Sequence, residues 1–463
     1  MRAPGDILLV SCYELGRQPL GIAVPAAFLE RAGFAPASLD ISVEALDDER
    51  LRAAKLVCIA VPMHTALRLG MRVAERVRAI RPEAHICFHG LYATLNADHL
   101  LGRDGSVAKA DSLTGGECEP VLVALAEALE RTLSLEIPGL QTAAKSASPV
   151  LEKLSFPAPS RARLPVLGRY AKFDRDGKTG LAGAVEASRG CLHLCRHCPI
   201  PSVYDGRFFV VPEDVVFADI AALVDAGATH ITFADPDFFN GPAHARRVVE
   251  ALHARFPALT YDVTVKVEHL LKHRALLPVL AATGCAFIVS AVESLSERVL
   301  SILDKGHTRA DVVEALALTR EAGLALRPSL LPFTPWSTLD DYRDLLDFVV
   351  SNDLVDHVDP IQLSIRLLVP PRSLLEKHAE MTPHLAKLEP DLCTWTWTHS
   401  DPRMDALHAT ASRIVADAAR THEDAAATFE RLREAATGVH RARATDAKAR
   451  RPRAPRLTEP WFC

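Results

Sequence analysis

Three cysteines, Cys191, Cys195 and Cys198, lie on one short stretch, Ser188-Arg-Gly-Cys-Leu-His-Leu-Cys-Arg-His-Cys-Pro199. Thiolates are soft ligands suited to iron–sulfur clusters and to zinc. Three of them on a C-x3-C-x2-C loop can hold three irons of a [4Fe–4S] cluster and leave the fourth iron without a protein ligand. An open iron is a position for chemistry rather than for structure. A zinc site would want a fourth ligand, which His193 or His197 could supply, but zinc ribbons bring a second C-x2-C pair and none occurs here. A passive cluster is usually held by four protein ligands, so the spacing favours a reactive one. Cys191, Cys195 and Cys198 are thus at once candidate metal ligands and candidate catalytic residues.

Charged residues beside apolar runs are the next candidates. Asp235 and Asp237 follow the run from His230, Glu293 closes the run from Ala286, and Arg327 and Arg366 stand within or near later runs. Such groups can hydrogen-bond a diol, an amino group or a carboxylate of a small ligand. Ordinary rim salt bridges would use the same residues. His197 could stack on a base or brace the cysteine loop. Tyr204 and Arg207, just after that loop, could face a site or serve as turn and packing residues.

The elements that must position these groups read as α/β throughout. Up to about residue 140, short apolar runs at Asp6–Val10, Phe34–Ile41, Leu56–Val61, Ala84–Phe88 and Val107–Asp111 alternate with amphipathic helices at Leu20–Ala32, Thr65–Ile80 and Glu119–Leu133. That alternation predicts a flavodoxin-like doubly wound sheet, with ligands at the carboxyl ends of its strands. The Pro- and Ser-rich stretch within 141–180 predicts a linker. Strands at Ala184–Ser188, His230–Ala234, Thr260–Val265, Ala286–Val292, Ala325–Leu331 and Ile361–Leu367 predict a partial (β/α)6 barrel over 181–395, with the cysteine loop at the carboxyl end of its first strand. An Ala-, Arg- and Glu-rich helical extension follows at 396–439, then a flexible basic tail at 440–463 ending in Cys463.

The cysteine spacing, and the wording Arg-Gly-Cys-x-His-x-Cys-Arg-His-Cys-Pro, resemble the radical SAM superfamily. This implies that the open iron chelates S-adenosylmethionine (SAM), with His197, Asp235, Glu293, Arg327 and Arg366 as candidate contacts. Ala291-Val-Glu-Ser294 is similar to that family's Gly-x-Glu-Ser element, with alanine for glycine. Gly90-Leu-Tyr-Ala-Thr94 and Gly115-Gly-Glu117 resemble loops of the cobalamin-binding domain that precedes many radical SAM domains. The resemblance implies cobalamin contacts at Thr65, Gly90, Thr94, Gly115, Gly116 and Glu117. The Asp-x-His-x-x-Gly fingerprint is not met: Ser11-x-Tyr13-x-x-Gly16 stands in its place, so no histidine of this loop ligates cobalt. The whole chain is similar to radical SAM (seleno)proteins named for a Cys-Sec- or Cys-Cys-Ala-Glu-Pro tail, which implies that Cys463 precedes a selenocysteine read as a stop. The implied activity is methyl transfer through cobalamin to an unactivated carbon of an unknown small molecule or peptide, with a flavodoxin or ferredoxin as electron donor. Cobalamin-dependent rearrangement or redox chemistry, or a cluster protein acting through its tail, are the alternatives.

Composition excludes other classes. A net charge of −5 gives no reason to expect nucleic acid. No apolar run is long enough to span a membrane, and Asp6, Ser11 and Cys12 interrupt any secretory leader. Cys12, Cys58, Cys87, Cys118, Cys285 and Cys393 form no disulfide-like framework and predict buried thiols in a reducing cytoplasm.

Overall fold

The computed structural model describes residues 1–438 and 453–459. Its first sheet contains β1 (Ile7–Ser11), β2 (Ala37–Asp40), β3 (Leu56–Ala60), β4 (His85–His89), β5 (Ser112–Thr114) and a short edge, β6 (Gln141–Thr142). The spatial order is 2-1-3-4-5-6, parallel except for β6. β1 and β3 are buried along their whole length, which is why they read as unbroken apolar runs: both faces of a parallel sheet are covered. The strand order reverses between β1 and β3, and the carboxyl ends beside that switch form the crevice where such sheets bind ligands.

The fifth strand lies one step beyond the predicted Val107–Asp111. Asp111 is used as a side-chain acceptor for the Ile86 amide at 2.7 Å and for Arg78 at 2.5 Å, and Val107 is left on an exposed loop. The segment Gly139–Leu167 is largely irregular, as a proline-rich connection should be.

The second sheet is a half-barrel. β7 (Lys172–Arg175) and β8 (Lys178–Val185) form a hairpin inside what the sequence predicts as linker; Asp174 closes its turn by accepting from the Gly177 amide at 3.0 Å. β9 (Ser188–Gly190) and β10 (Phe208–Val210) pair as a separate ribbon at either end of the cysteine loop. β8 is followed in parallel by β11 (His230–Phe233), β12 (Thr260–Thr264), β13 (Cys285–Glu293) and β14 (Ala325–Leu330). The predicted sixth strand at Ile361–Leu367 is reduced to one parallel bridge, Arg366 against Phe333, closed by the Phe333 amide on the Ile365 carbonyl and the Leu367 amide on the Phe333 carbonyl. Pro360–Leu363 is a 3-10 turn, and the Gln362 side chain accepts from the Leu330 amide at 2.9 Å, taking the place of a strand neighbour. Beyond it lie an antiparallel pair, β15 (Leu385–Glu389) and β16 (Thr394–Trp397), and two packed helices, Pro402–Thr421 and Ala425–Thr437.

The chain end differs from the flexible tail expected at 440–463. Residues 453–459 are docked: β17 (Arg456–Leu457) adds to the sheet edge antiparallel to β7, giving the order 14-13-12-11-8-7-17. Cys463 and the tail motif it suggests lie outside the described residues. The two sheets share a core, since Leu20, Val24 and Phe28 of the first helix pack in one buried cluster with Phe156 and Val185. Among the described residues no helix is long and apolar enough to cross a membrane.

Candidate active site

The cysteine loop leaves the carboxyl end of β8, and its anchor is Asp235. That carboxylate accepts from the Ala187 amide at 2.8 Å and from the Ser188 hydroxyl, so both oxygens are used on backbone and side chain leading into the loop. Burial pushes Asp235 up to about 7, with Ser188 and Ala187 opposing. Asp235 is therefore a positioning residue. Asn240 holds the loop from the other side, accepting from the Leu192 amide at 3.2 Å and from the Cys191 thiol at 3.9 Å.

Cys191 and Cys195 are buried and Cys198 is half-buried. Burial raises the Cys191 thiol and pushes Cys198 up to about 12, so bare thiolates are unfavourable here and a bound cationic cluster would offset that cost. Lys305 carries its charge close enough to Cys195 and Cys198 to act on both. A desolvated trio of thiols beside an ammonium fits a [4Fe–4S] cluster.

Glu293 ends β13 at a register shift, with φ +63, a left-handed conformation that costs a non-glycine residue strain. The turn aims its carboxylate at the cysteine loop, where it accepts from Lys305 Nζ at 3.2 Å and meets His197 Nε2 at 3.3 Å. Burial alone would raise Glu293, but Lys305 and His197 outweigh it and hold it at about 2. The other nitrogen of His197 is buried without a partner. The structure thus brings Glu293 and His197 to the cysteines.

The two arginines have partners of their own. Arg327 pairs with Asp359 at 2.8 Å within the half-barrel. Arg366 pairs with Asp405 at 2.7 Å, donates to the Trp397 carbonyl at 2.8 Å and stacks 3.5 Å above the Trp397 ring. Both make salt bridges of the kind the sequence leaves open, and Arg327 Nη1 is buried without a hydrogen-bond partner.

The crevice of the first sheet opens beside the same loop. Glu117, fully buried, accepts from the Tyr204 hydroxyl at 3.0 Å and lies 3.4 Å from Arg189. Arg189, two residues before Cys191, also pairs with Glu119 at 2.7 Å and Glu186 at 2.8 Å. Burial raises Glu117 to about 7 against the pull of Arg189. Glu117 therefore joins the two sheets. Gly116 has a similar explanation: a Cβ there would lie 2.2 Å from the Val150 carbonyl oxygen of the connecting segment.

Gly90, Thr94 and Gly115 remain on the crevice. A Gly115 Cβ would fall 2.0 Å from Thr94 Oγ1, and Gly90, at φ +108, approaches the Val61 carbonyl. Thr94 Oγ1, Thr114 Oγ1 and His89 Nε2 are buried without hydrogen-bond partners. Buried polar atoms are rarely left so, and here they mark where a polar ligand would sit. Thr65 lies in the first turn of the helix His64–Ile80, whose amino end has no side-chain cap. These residues fit a large polar ligand such as a corrinoid. The sequence reading misses Lys305 and Asn240, which carry no motif of their own, and gives Arg189, the first residue of the cysteine motif, no role.

Residues 185–349 match the family model described as the Radical SAM superfamily, a domain that implies a [4Fe–4S] cluster and SAM. A hopanoid C-3 methylase of Methylococcus capsulatus is 23% identical over 343 residues, covering 72% of this chain and 64% of that protein. A tRNA-2-methylthio-N(6)-dimethylallyladenosine synthase of Moorella thermoacetica is 25% identical over 184 residues, covering 37% of this chain and 40% of that one. The chain thus spans less than two thirds of the length of these curated relatives. Among solved structures, TsrM from Kitasatospora setae, a radical SAM methyltransferase with tryptophan and a SAM analogue bound, superposes with a TM-score of 0.60 at 20% identity over 75% of this chain and 71% of that one. The cobalamin-dependent SAM radical enzyme OxsB, with aqua-cobalamin bound, gives 0.69 at 16% identity over 89% and 67%. At such identities the likeness is one of fold.

Proposed function

With a Radical SAM domain over residues 185–349 as premise, we propose that this enzyme cleaves SAM reductively at a cluster held by Cys191, Cys195 and Cys198, and transfers a methyl group through cobalamin. The acceptor would be an unactivated carbon or similar centre of a small molecule or peptide. The observation that carries the reading is the junction of the two sheets. Tyr204 and Arg189, which flank the cysteine loop, bind Glu117 after β5 and Glu119 at the start of the next helix, so the carboxyl end of the first sheet abuts the cysteine loop.

Held by Cys191, Cys195 and Cys198, a reduced cluster would supply the electron for splitting SAM into methionine and a 5′-deoxyadenosyl radical, and a methylated cobalamin in the crevice would supply the methyl group. The chain's own residues orient and desolvate. Asp235 and Asn240 fix the loop backbone, and the Glu293–Lys305 pair sets a buried charge beside Cys195 and Cys198. Glu293 and His197 would offer SAM hydrogen bonds from beside the cysteine loop. Gly90, Thr94 and Gly115 would admit the corrinoid closely.

The same proposal includes a flavodoxin or ferredoxin as donor, a cytoplasmic location suited to an oxygen-sensitive cluster, and the finer kinship with the Cys-Sec-tail proteins, which rests on the wording Cys195-Arg-His-Cys-Pro199. The test is anaerobic reconstitution: about four irons per chain and production of 5′-deoxyadenosine are expected. Cys198→Ala should abolish both, and 5′-deoxyadenosine from that variant would overturn the assignment.

A further inference from the structure

We propose that His193, Asp237 and His269 form a second metal site, for a divalent first-row cation of the zinc or ferrous class, separate from the three cysteines. The residues come from three elements. His193 lies inside the cysteine loop, Asp237 follows β11, and His269 sits on the helix Val267–Lys272 after β12. His269 Nδ1 is 2.7 Å from Asp237 Oδ2, and His193 Nε2 is 3.4 Å from the same oxygen. One ligand atom from each of the three residues falls within 4.8 Å of the others.

Those atoms are near enough to hydrogen-bond, yet His193 Nε2, Asp237 Oδ2 and His269 Nδ1 are all buried and none has an aligned partner. Asp237 is 1% exposed and His269 5%, so water does not compensate them. Three unsatisfied ligand atoms converging in a desolvated space are what a cation would satisfy together. Metal bonds of about 2.0–2.2 Å place neighbouring ligand atoms roughly 3 Å apart, the scale seen here. Two imidazole nitrogens and one carboxylate oxygen suit zinc or ferrous iron, with a fourth position left open.

The outer contacts agree. Asp237 Oδ1 is held by the Phe239 amide at 3.1 Å, which leaves Oδ2 for the ion. Glu268 Oε2 lies 3.7 Å from His193 Nδ1, near enough for a small shift to make it the carboxylate that orients a ligating imidazole. Lys266 Nζ is 3.0 Å from that Nδ1 and 3.2 Å from Glu268. For His193 Nε2 to ligate, Nδ1 must turn from acceptor to donor, so Lys266 would give up that nitrogen and keep Glu268 as its partner.

The probe is Zn(II), added anaerobically to cluster-loaded protein and to the Cys191→Ala/Cys195→Ala/Cys198→Ala variant, with bound zinc counted by mass spectrometry after desalting. About one zinc per chain is expected in both backgrounds, weakened at least about tenfold by His269→Ala or Asp237→Asn. Circular dichroism and iron content of those variants serve as the check on folding. No zinc on cluster-loaded wild-type protein, or equal retention by His269→Ala and Asp237→Asn, would overturn the site. A failed cluster assignment would show in the iron count, while the cysteine-free background would still report on zinc.

Discussion

The Tyr13 hydroxyl donates to the Glu459 carboxylate across 3.1 Å, joining the loop after β1 to the last described residues of the chain. Gly16, at φ +65, lies directly under that contact: a Cβ there would sit 2.6 Å from Glu459 Cγ. Arg456 reaches Asp174 on β7 and Asp359, the partner of Arg327 on β14, at 3.7 Å each. The segment 453–459 therefore straps one edge of the half-barrel to the other and to the crevice of the first sheet. Its backbone hold is Thr458, whose amide donates to the Lys172 carbonyl at 2.8 Å while its hydroxyl accepts from the Lys172 amide at 2.8 Å. Thr458→Pro removes both contacts and should cost about 1–3 kcal/mol of local stability. Hydrogen exchange read by mass spectrometry should accelerate at 456–459 and at 172–175, with the rest of the chain unchanged. Unaltered exchange there would mean that the strap is not docked in solution.

What the sequence made legible follows physical rules. The cysteine loop is readable because one cluster needs three thiolates on contiguous chain, and the parallel strands are readable because burial on both faces makes them apolar throughout. Other features depend on contacts distant in sequence. Gln362 replaces the first part of the predicted Ile361–Leu367 strand with one side-chain acceptor, leaving a single bridge at Arg366, and nothing local distinguishes that from a full strand. Arg366 looks like a cavity residue among Ile and Leu until Trp397 and Asp405 are brought beside it. A basic composition also suggests a loose tail, yet two backbone registers and two aspartates suffice to dock residues 453–459.

Arg366 offers a direct contrast between anchor and ligand contact. Its removal takes away a partly buried ion pair, a carbonyl contact and a cation–π stack, together on the order of 2–4 kcal/mol. Arg366→Ala should lower the melting temperature by several degrees while SAM affinity, measured by equilibrium dialysis, stays within about twofold. A large loss of SAM affinity at unchanged stability would return Arg366 to the active site.

Asp235 predicts a pH dependence with a definite sign. Its folded pKa of about 7 lies above the ordinary 3.8, so between those values the folded state holds more protons than the unfolded one. Stability from this group is full below about pH 4 and falls as pH rises to about 7, by an amount on the order of 4 kcal/mol. Asp235→Asn keeps an acceptor for the Ala187 amide and does not titrate. Denaturant midpoints of cluster-free protein at pH 5 and pH 8 should therefore diverge less in the variant than in the wild type. Equal divergence would show that Asp235 does not carry the effect.

The corrinoid reading predicts both binding and a mode of binding. Protein purified from cobalamin-supplied cells should carry a corrinoid absorbance. Gly115→Val should reduce corrinoid retention by about tenfold or more, since added bulk collides with Thr94 Oγ1 where backbone and cofactor must approach closely. Tyr13 stands where the fingerprint loop would place an axial histidine, and its hydroxyl is engaged with Glu459. Electron paramagnetic resonance of the Co(II) form should accordingly lack the nitrogen splitting of a protein imidazole from below the ring. Such splitting would contradict the histidine-free mode while leaving cobalamin binding in place. Absence of any corrinoid from protein that still produces 5′-deoxyadenosine would remove methyl transfer through cobalamin and retain the radical chemistry.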